Sequence, residues 1–109
     1  TIMNKYLLSY HGGGMPESEE EQAKHMVAWG KWMGGHAVAF SDMGAPCTAA
    51  MTVSATGDTD GGGANPVSGY GIIQASDMAA ACNVARGCPV VTMGGGTVEV
   101  SETFEIDMG

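Results

Sequence analysis

The chain has 109 residues with 44% hydrophobic content, which suits one folded domain spanning residues 1–109. Its net charge is −8, and it has no basic cluster of the kind that binds nucleic acid or an anionic membrane surface. It has no apolar run of about eighteen residues, and its three cysteines form no regular framework, so we expect a cytoplasmic protein without membrane spans.

The N-terminal part predicts a strand followed by a long helix. Residues 5–10 (KYLLSY) are apolar on both faces, which is typical of a strand covered on both sides. Ser18 and Glu21 form a capping box at the start of a helix from about residue 19 to 33. At roughly 100° per residue, its apolar stripe is predicted to comprise Ala23, Met26, Val27, Gly30, Met33 and Gly34, with Trp29 at one edge.

The remaining sequence predicts a second strand, a hairpin and a further β-α-β unit. The second helix follows the capping pair Ser76-Asp77 and stops at Gly87, and its predicted core face, clean but narrow, is Met78, Ala81, Cys82 and Ala85 at i, i+3, i+4 and i+7. The predicted elements are a strand at 37–40, half a hairpin at 51–55, a long loop at 56–66, a strand at 69–75, and a last strand from 97.

The predicted order is strand, helix, strand, hairpin, strand, helix, strand. This is the ferredoxin-like, split β-α-β form of an α+β fold with an inserted hairpin. Right-handed crossovers place both helices on one face of the sheet. Because the strands are apolar on both sides, we expect a homodimer in which the bare sheet faces of two copies pack together as a dimeric α+β barrel.

Four segments resemble the YCII-related (DGPF) family. They are the opening KYLLSY, the HMVAW…WM run of the first helix, DGGGANPVSGYGII, and the closing GCPVVTMGGGTVEV. Asp60-Gly61 matches the start of the DGPF signature, while Gly62 and Gly63 depart from its Pro-Phe. The resemblance implies a dimeric α+β barrel with mostly unassigned biochemistry.

The resemblance also implies a catalytic histidine in the first helix, and His25 stands at that position. The family's aspartate just after this helix has no counterpart, since Gly34, Gly35 and His36 stand there. We predict that a carboxylate, Asp60 or else Asp42, meets His25 in one concave site, with Asp60 the first choice. The alternative is that His25 is a half-buried histidine with a backbone partner.

Four further residues are predicted to bind a ligand. Trp29 lies one helical turn from His25 and would form an apolar wall. Tyr70 and His11 are predicted to lie in the pocket or at its mouth. Glu102 is the one acid on the apolar parity of the last strand, so it either faces the barrel interior or is turned outward by a bulge.

Two functions follow from these patterns. The first is a cofactor-free, small-molecule enzyme or binding protein that uses His25 as an acid–base for isomerisation, elimination or lactone hydrolysis. The alternative is a non-catalytic dimeric module that binds a ligand or a partner. No metal site is predicted, because the cysteines and histidines lack ligand spacing.

Overall fold

A computed structural model describes residues 3–13 and 16–106, so residues 1–2, 14–15 and 107–109 of the predicted domain lie outside the described part. The described chain is an α+β fold, with a four-stranded antiparallel sheet in the order β2-β5-β1-β6 and a separate β3-β4 hairpin. The elements are β1 (Asn4–His11), α1 (Glu19–Gly35), β2 (Phe40–Pro46), β3 (Met51–Ser54), β4 (Gly57–Asp60), β5 (Val67–Ala75), α2 (Met78–Arg86), α3 (Pro89–Thr92) and β6 (Thr97–Glu102).

One face of the sheet carries the core. Tyr6 and Leu8 of β1 lie opposite Ile73 and Gly71 of β5, and side chains on opposite residues of paired strands share a face. This face is covered by helices, and its fully buried side chains include Tyr6, Leu8 and Ile73. Val98 and Val100 of β6 pack against the same core.

The other face of the sheet, called here the open face, is only partly apolar. At its centre Leu7 lies opposite Ile72 and Ser101, and both Leu7 and Ile72 are half-buried. Polar partners flank this centre, where Lys5 pairs with Gln74 and Ser9 with Tyr70 and Glu99. The strands are therefore less apolar on this side than the sequence predicts.

The apolar stripe predicted for α1 is wrong. Trp32 is buried and Trp29 and His25 are half-buried, whereas Met26 and Val27 are 70% and 57% exposed. The sheet-facing side is rotated from the predicted stripe by about one residue, or roughly 100°. The large tryptophan rings bury more apolar area than the glycines and alanine of the predicted stripe, so they determine which side faces the core. The predicted cap is confirmed, because Ser18 Oγ accepts a hydrogen bond from Glu21 N at 3.1 Å.

The second helix begins and ends where the sequence predicts. Asp77 caps α2 by accepting a hydrogen bond from Ala80 N at 2.8 Å. On the predicted face Ala81 and Ala85 are buried, whereas Met78 is 43% exposed and does not belong to the core. A short helix, α3, starts at Pro89, where the sequence pattern predicts no helix. Proline suits the first turn of a helix, because its missing N–H would have no partner there.

Three strand boundaries differ from the prediction. The second strand begins at Phe40 rather than at residue 37, since residues 37–39 form a turn. Gly57–Asp60 is a strand instead of part of a loop. The shared parity of Val98, Val100, Phe104 and Ile106 predicts a last strand that extends to residue 106, but the strand ends at Glu102, and Phe104 lies outside it and is 82% exposed.

The β3-β4 hairpin and its flanking residues, 47–66, form an extension called here the arm. Every residue of the arm is exposed. The radius of gyration is 15.4 Å, whereas a compact domain of 100 residues has about 13 Å, and a projecting arm contributes to this difference. Within the described ranges, no helix combines the length and apolarity needed to cross a membrane.

Candidate functional site

A groove of about 630 Å³ lies between α1, the end of β1 and the β2-β5 edge of the sheet. This volume is in the range of small-molecule sites, which run from about 300 to 1,000 Å³. Most of its surface is apolar, and no aspartate or glutamate of the described residues lines it. Its lining residues are Tyr10, Gly13, His25, Met26, Trp29, Met33, Met43 to Thr48, Ser68 to Tyr70, and Val90.

The helical wall of the groove follows from the spacing of α1. His25, Trp29 and Met33 are four residues apart, which places them one above another along one side of the helix. Met26 extends this wall toward solvent. The helix therefore presents one imidazole, one indole and two flexible thioethers to the same space.

Aromatic packing holds Trp29 in place. The centroid of its ring lies 5.1 Å from the centroid of the Tyr10 ring and 5.6 Å from that of the Trp32 ring, and both pairs have edge-to-face geometry. Trp32 is anchored in turn, because its indole N–H donates a hydrogen bond to the Val84 carbonyl at 2.9 Å. Edge-to-face pairs add about 0.5–1.5 kcal/mol each beyond the area they bury. The indole of Trp29 is thus a supported wall rather than a loose surface ring.

Tyr10 fits this position because two glycines of β5 leave room for it. A Cβ added at Gly71 would lie 2.9 Å from the Tyr10 hydroxyl, and one added at Gly69 would lie 3.1 Å from its ring. The hydroxyl is buried and has no hydrogen-bond partner among the described residues. Burial, with a smaller contribution from Cys88, raises the pKa of Tyr10 well above its ordinary value.

A bulge in β2 forms the wall opposite the helix. The ladder between β2 and β5 is irregular between Asp42 and Ala45. Asp42 Oδ1 accepts a hydrogen bond from Gly44 N at 2.8 Å, which is an Asx turn. Gly44 has φ +73°, and a Cβ there would overlap the carbonyl oxygen of Tyr70. Only glycine fits, and this turn brings Met43 to the groove.

His25 is half-buried in the groove and its ring makes no hydrogen bond with any residue of the described ranges. No carboxylate oxygen of residues 3–13 and 16–106 lies within 4.0 Å of it, since the ion pairs there involve only His11 and Lys24. The imidazole is therefore placed to contact a bound molecule, and the backbone partner of the alternative interpretation is not seen.

The structure does not bring Asp60 to the groove. Asp60 lies on β4, opposite Met51, in the exposed arm. Asp42 accepts the hydrogen bond from Gly44 N that forms the turn, and it does not line the groove. In the single chain, the proposed pairing of His25 with either aspartate stays a prediction.

The predicted ligand-binding residues are divided between separate places. Trp29 lines the groove as described, and Tyr70 borders it. Because side chains alternate along a strand, the Tyr70 ring lies on the open face, opposite to Gly69 and Gly71. His11 is buried outside the groove, with Nδ1 3.0 Å from the Asn65 carbonyl and Nε2 3.6 Å from Glu99 Oε1.

Glu102 lies at the far end of the sheet. It is opposite Tyr6 on the helix-covered face, and the Tyr6 hydroxyl donates to Glu102 Oε1 at 3.5 Å. The carboxylate is exposed, and the β1-β6 register continues through it without a bulge. Neither of the two sequence-based interpretations of Glu102 describes this position.

Sequence reasoning missed the β2 half of the groove and its one thiol. Cys47 is exposed and lines the groove, whereas Cys88 is buried at the start of α3. Burial raises the pKa of the Cys88 thiol to about 11, against the opposing effect of the Val90 and Val91 N–H groups. The residues Asp42-Met43-Gly44 are typical of a turn, but the sequence alone does not show that this turn forms a wall of the groove.

Among the described residues, no group of three or more histidine, cysteine or acidic side chains is arranged to hold a metal ion.

Comparison of the sequence with protein-family models and with curated proteins found no match. The likeness to the YCII-related family therefore rests on the quoted segments and stays a prediction.

Proposed function

We propose that the chain binds a small, largely apolar organic molecule in the groove beside α1. The observation that carries this proposal is a groove of about 630 Å³ with mostly apolar walls, a fixed indole and a single imidazole. A binding site of this kind has a few polar groups that orient the ligand within an apolar enclosure. His25 is the residue we expect to orient it.

Three methionines make the walls adaptable. Met26, Met33 and Met43 line the groove from two different elements. Methionine side chains are unbranched and polarizable, so they adjust to ligands of different shape. We therefore expect a tolerant site that ranks ligands by apolar area and aromatic character rather than by one strict hydrogen-bond pattern.

A matched pair of methionine variants tests the groove. Met43 is 45% exposed and lines the groove, while Met78 is 43% exposed and lies at the start of α2, outside it. Met43→Glu should weaken binding of the neutral apolar dye Nile red by about tenfold or more, because the dye would then meet a charge that needs water. Met78→Glu should leave binding unchanged. An equal loss of dye binding in both variants, or no dye binding by the unaltered protein, would refute the groove as the binding site.

Catalysis by His25 is a second candidate, supported by its position in the groove without a competing hydrogen bond. It would act as a general acid–base in isomerisation, elimination or lactone hydrolysis, without a cofactor. His36 is a matched control, since it is half-buried at the end of α1 and lies outside the groove. With a panel of aromatic lactones, His25→Gln should abolish turnover and His36→Gln should retain it. A panel that is bound but not turned over by the unaltered protein leaves simple binding as the function.

We also propose that the chain folds as a ferredoxin-like domain and pairs as a dimeric barrel. The sheet order β2-β5-β1-β6 with an inserted hairpin supports a ferredoxin-like, split β-α-β domain of YCII type. In the dimeric barrel, a second copy would cover Leu7 and Ile72 on the open face. Leu7→Glu should then halve the mass measured by light scattering, whereas Ser9→Glu, farther from the apolar centre, should have a smaller effect. If the unaltered protein is monomeric, the proposed dimeric barrel is refuted.

A further inference from the structure

The β3-β4 hairpin of the arm pairs with no other strand in the described part of the chain. Its strands have four residues each and pair with one another, and the arm contacts the rest of the chain at its base, where Asn65 O lies 3.0 Å from His11 Nδ1 and Cys47 N donates to Ser68 O at 3.0 Å. An isolated two-stranded hairpin is marginally stable in water, and a third layer or strand is needed to hold it. Met51 and Val53 are 56% and 75% exposed on it. These features indicate that the arm packs against something outside the chain.

One face of the arm combines apolar and acidic side chains. Met51 lies opposite Asp60, and Val53 lies opposite Asp58. Directly opposite residues share a face, so these four side chains form a row of two apolar groups beside a row of two carboxylates. Asp58 and Asp60 have no ion-pair partner among the described residues.

The outward side of α1, called here the outer face, has the complementary pattern. It comprises the exposed apolar and small residues Ala23, Met26, Val27, Gly30 and Gly34, and it is bordered by Lys24 and Lys31. A Cβ added at Gly30 or Gly34 would meet nothing within 4 Å, so a strand can approach the helix closely there. These two lysines are half of the four lysine and arginine residues in a chain of net charge −8.

We propose that the arm of one copy of this chain docks on the outer face of α1 in a second copy. Met51 and Val53 would cover Val27 and the glycines, and the two aspartates would face Lys31 and the neighbouring Lys24. Lys31 should contribute more of the attraction to the aspartates than Lys24, because it has no ion-pair partner within the described ranges. Lys24 already lies 3.2 Å from Glu21 and 3.9 Å from Glu20.

The spacings of the two charged rows are close enough for their side chains to meet. Residues two apart on a strand have Cα atoms separated by about 7 Å, and this spacing applies to Asp58 and Asp60. Residues seven apart on a helix are separated by about 10 Å, which applies to Lys24 and Lys31. Lysine side chains are long enough to close this difference. In a twofold dimer each copy gives an arm and receives one, so the contact occurs twice.

The outer face also adjoins the groove. Met26 belongs to both surfaces, so a docked arm would border the proposed ligand site. The arm contact does not depend on that site being occupied, and its test needs no ligand.

Charge reversal with mixing tests the contact. The helix variant is Lys31→Glu, and the arm variant is Asp58→Lys with Asp60→Lys. Each alone places like charges across the contact and should weaken self-association about tenfold or more in a sedimentation series at low salt. An equimolar mixture of the two should regain most of the affinity of the unaltered protein, because each arm then faces a charge of opposite sign at position 31.

Arg86→Glu is the matched control. It makes the same change of charge at an exposed residue at the end of α2, outside α1, the arm and the open face, and should leave self-association as it is. A monomeric unaltered protein, a mixture that does not regain affinity, or an equal loss with Arg86→Glu would overturn the proposal.

Cross-linking distinguishes this contact from pairing of the open sheet faces. A zero-length carbodiimide reagent joins lysine to carboxylate only where the two touch. In a mixture of ¹⁵N-labelled and unlabelled protein, linked peptides of mixed isotope should join Lys31 to Asp58 or Asp60. Mixed-isotope assemblies without that link would show that copies associate elsewhere, and would reject the arm contact while leaving the groove untouched.

Discussion

Replacing Gly71 by alanine should strain the wall of the groove through Tyr10. The new Cβ would lie 2.9 Å from the Tyr10 hydroxyl and 3.0 Å from Cε1 of Phe40. Contacts this short require the neighbours to move, and overpacking of this kind costs about 1–3 kcal/mol of unfolding free energy. Gly71→Ala should therefore lower the midpoint of urea unfolding clearly.

Removing the Tyr10 hydroxyl should relieve part of that strain. The hydroxyl is buried without a partner, and leaving such a group unsatisfied costs about 1–3 kcal/mol. Tyr10→Phe alone should thus be neutral or stabilising. In the double variant Tyr10→Phe/Gly71→Ala, the clash with Phe40 remains but the clash with oxygen is gone, so we expect a coupling energy of about 1 kcal/mol.

Urea unfolding of the four proteins of this cycle measures the coupling, with equal slopes required for comparison. Gly35→Ala, at the end of α1 with nothing within 4 Å of its new Cβ, is the control and should be neutral or stabilising. If Gly71→Ala costs the same with and without the Tyr10 hydroxyl, the described packing of Tyr10 over β5 is refuted.

Two further changes probe the groove wall and the core. Gly44→Ala should destabilise the protein by about 2 kcal/mol or more and abolish Nile red binding, because φ +73° and the Tyr70 carbonyl exclude a Cβ; calorimetry and dye titration measure this, and a stable, dye-binding variant would contradict it. Since burial raises the pKa of Cys88 from 9.0 to about 11, the unfolded chain loses this proton first as the pH rises. Its contribution to stability is therefore present below pH 9 and is lost as the pH rises through about 11, by at most about 3 kcal/mol. Cys88→Ala should reduce the fall in the free energy of unfolding between pH 9 and about 11. An unchanged pH dependence would show that the Cys88 thiol is not shielded from water.

Most of the element order could be predicted because it depends on local chemistry. Capping residues such as Ser18 and Asp77 form their hydrogen bonds within three residues, so the sequence contains both partners. The side of α1 that faces the sheet was harder to predict. It depends on how the Trp29 and Trp32 rings pack against Tyr10 and Phe40, which are remote in the sequence.

The site was only half predictable for the same reason. His25 was identified from the resemblance to the YCII-related family, and Trp29 was placed beside it because it lies four residues later on the same helix. The opposite wall depends on the β2-β5 register, and the bulge at Gly44 is set by pairing with a strand about 26 residues later. Asp60 was assigned to the site because its loop was long enough to return to it. Its segment instead pairs with Met51–Ser54 as the arm, a hairpin that the sequence indicated only in part.

The most direct test of the groove uses the two tryptophans of the chain. Each gives one indole N–H signal in a ¹H–¹⁵N spectrum; Trp29 lines the groove, while the Trp32 N–H is bonded to the Val84 carbonyl at 2.9 Å. Titration with a neutral aromatic probe such as 2-acetylnaphthalene should shift the Trp29 signal saturably and leave that of Trp32 nearly fixed. Met43→Glu should reduce the shift and Met78→Glu should preserve it. A probe that moves neither signal, or both equally, would contradict the account of the groove as a binding site.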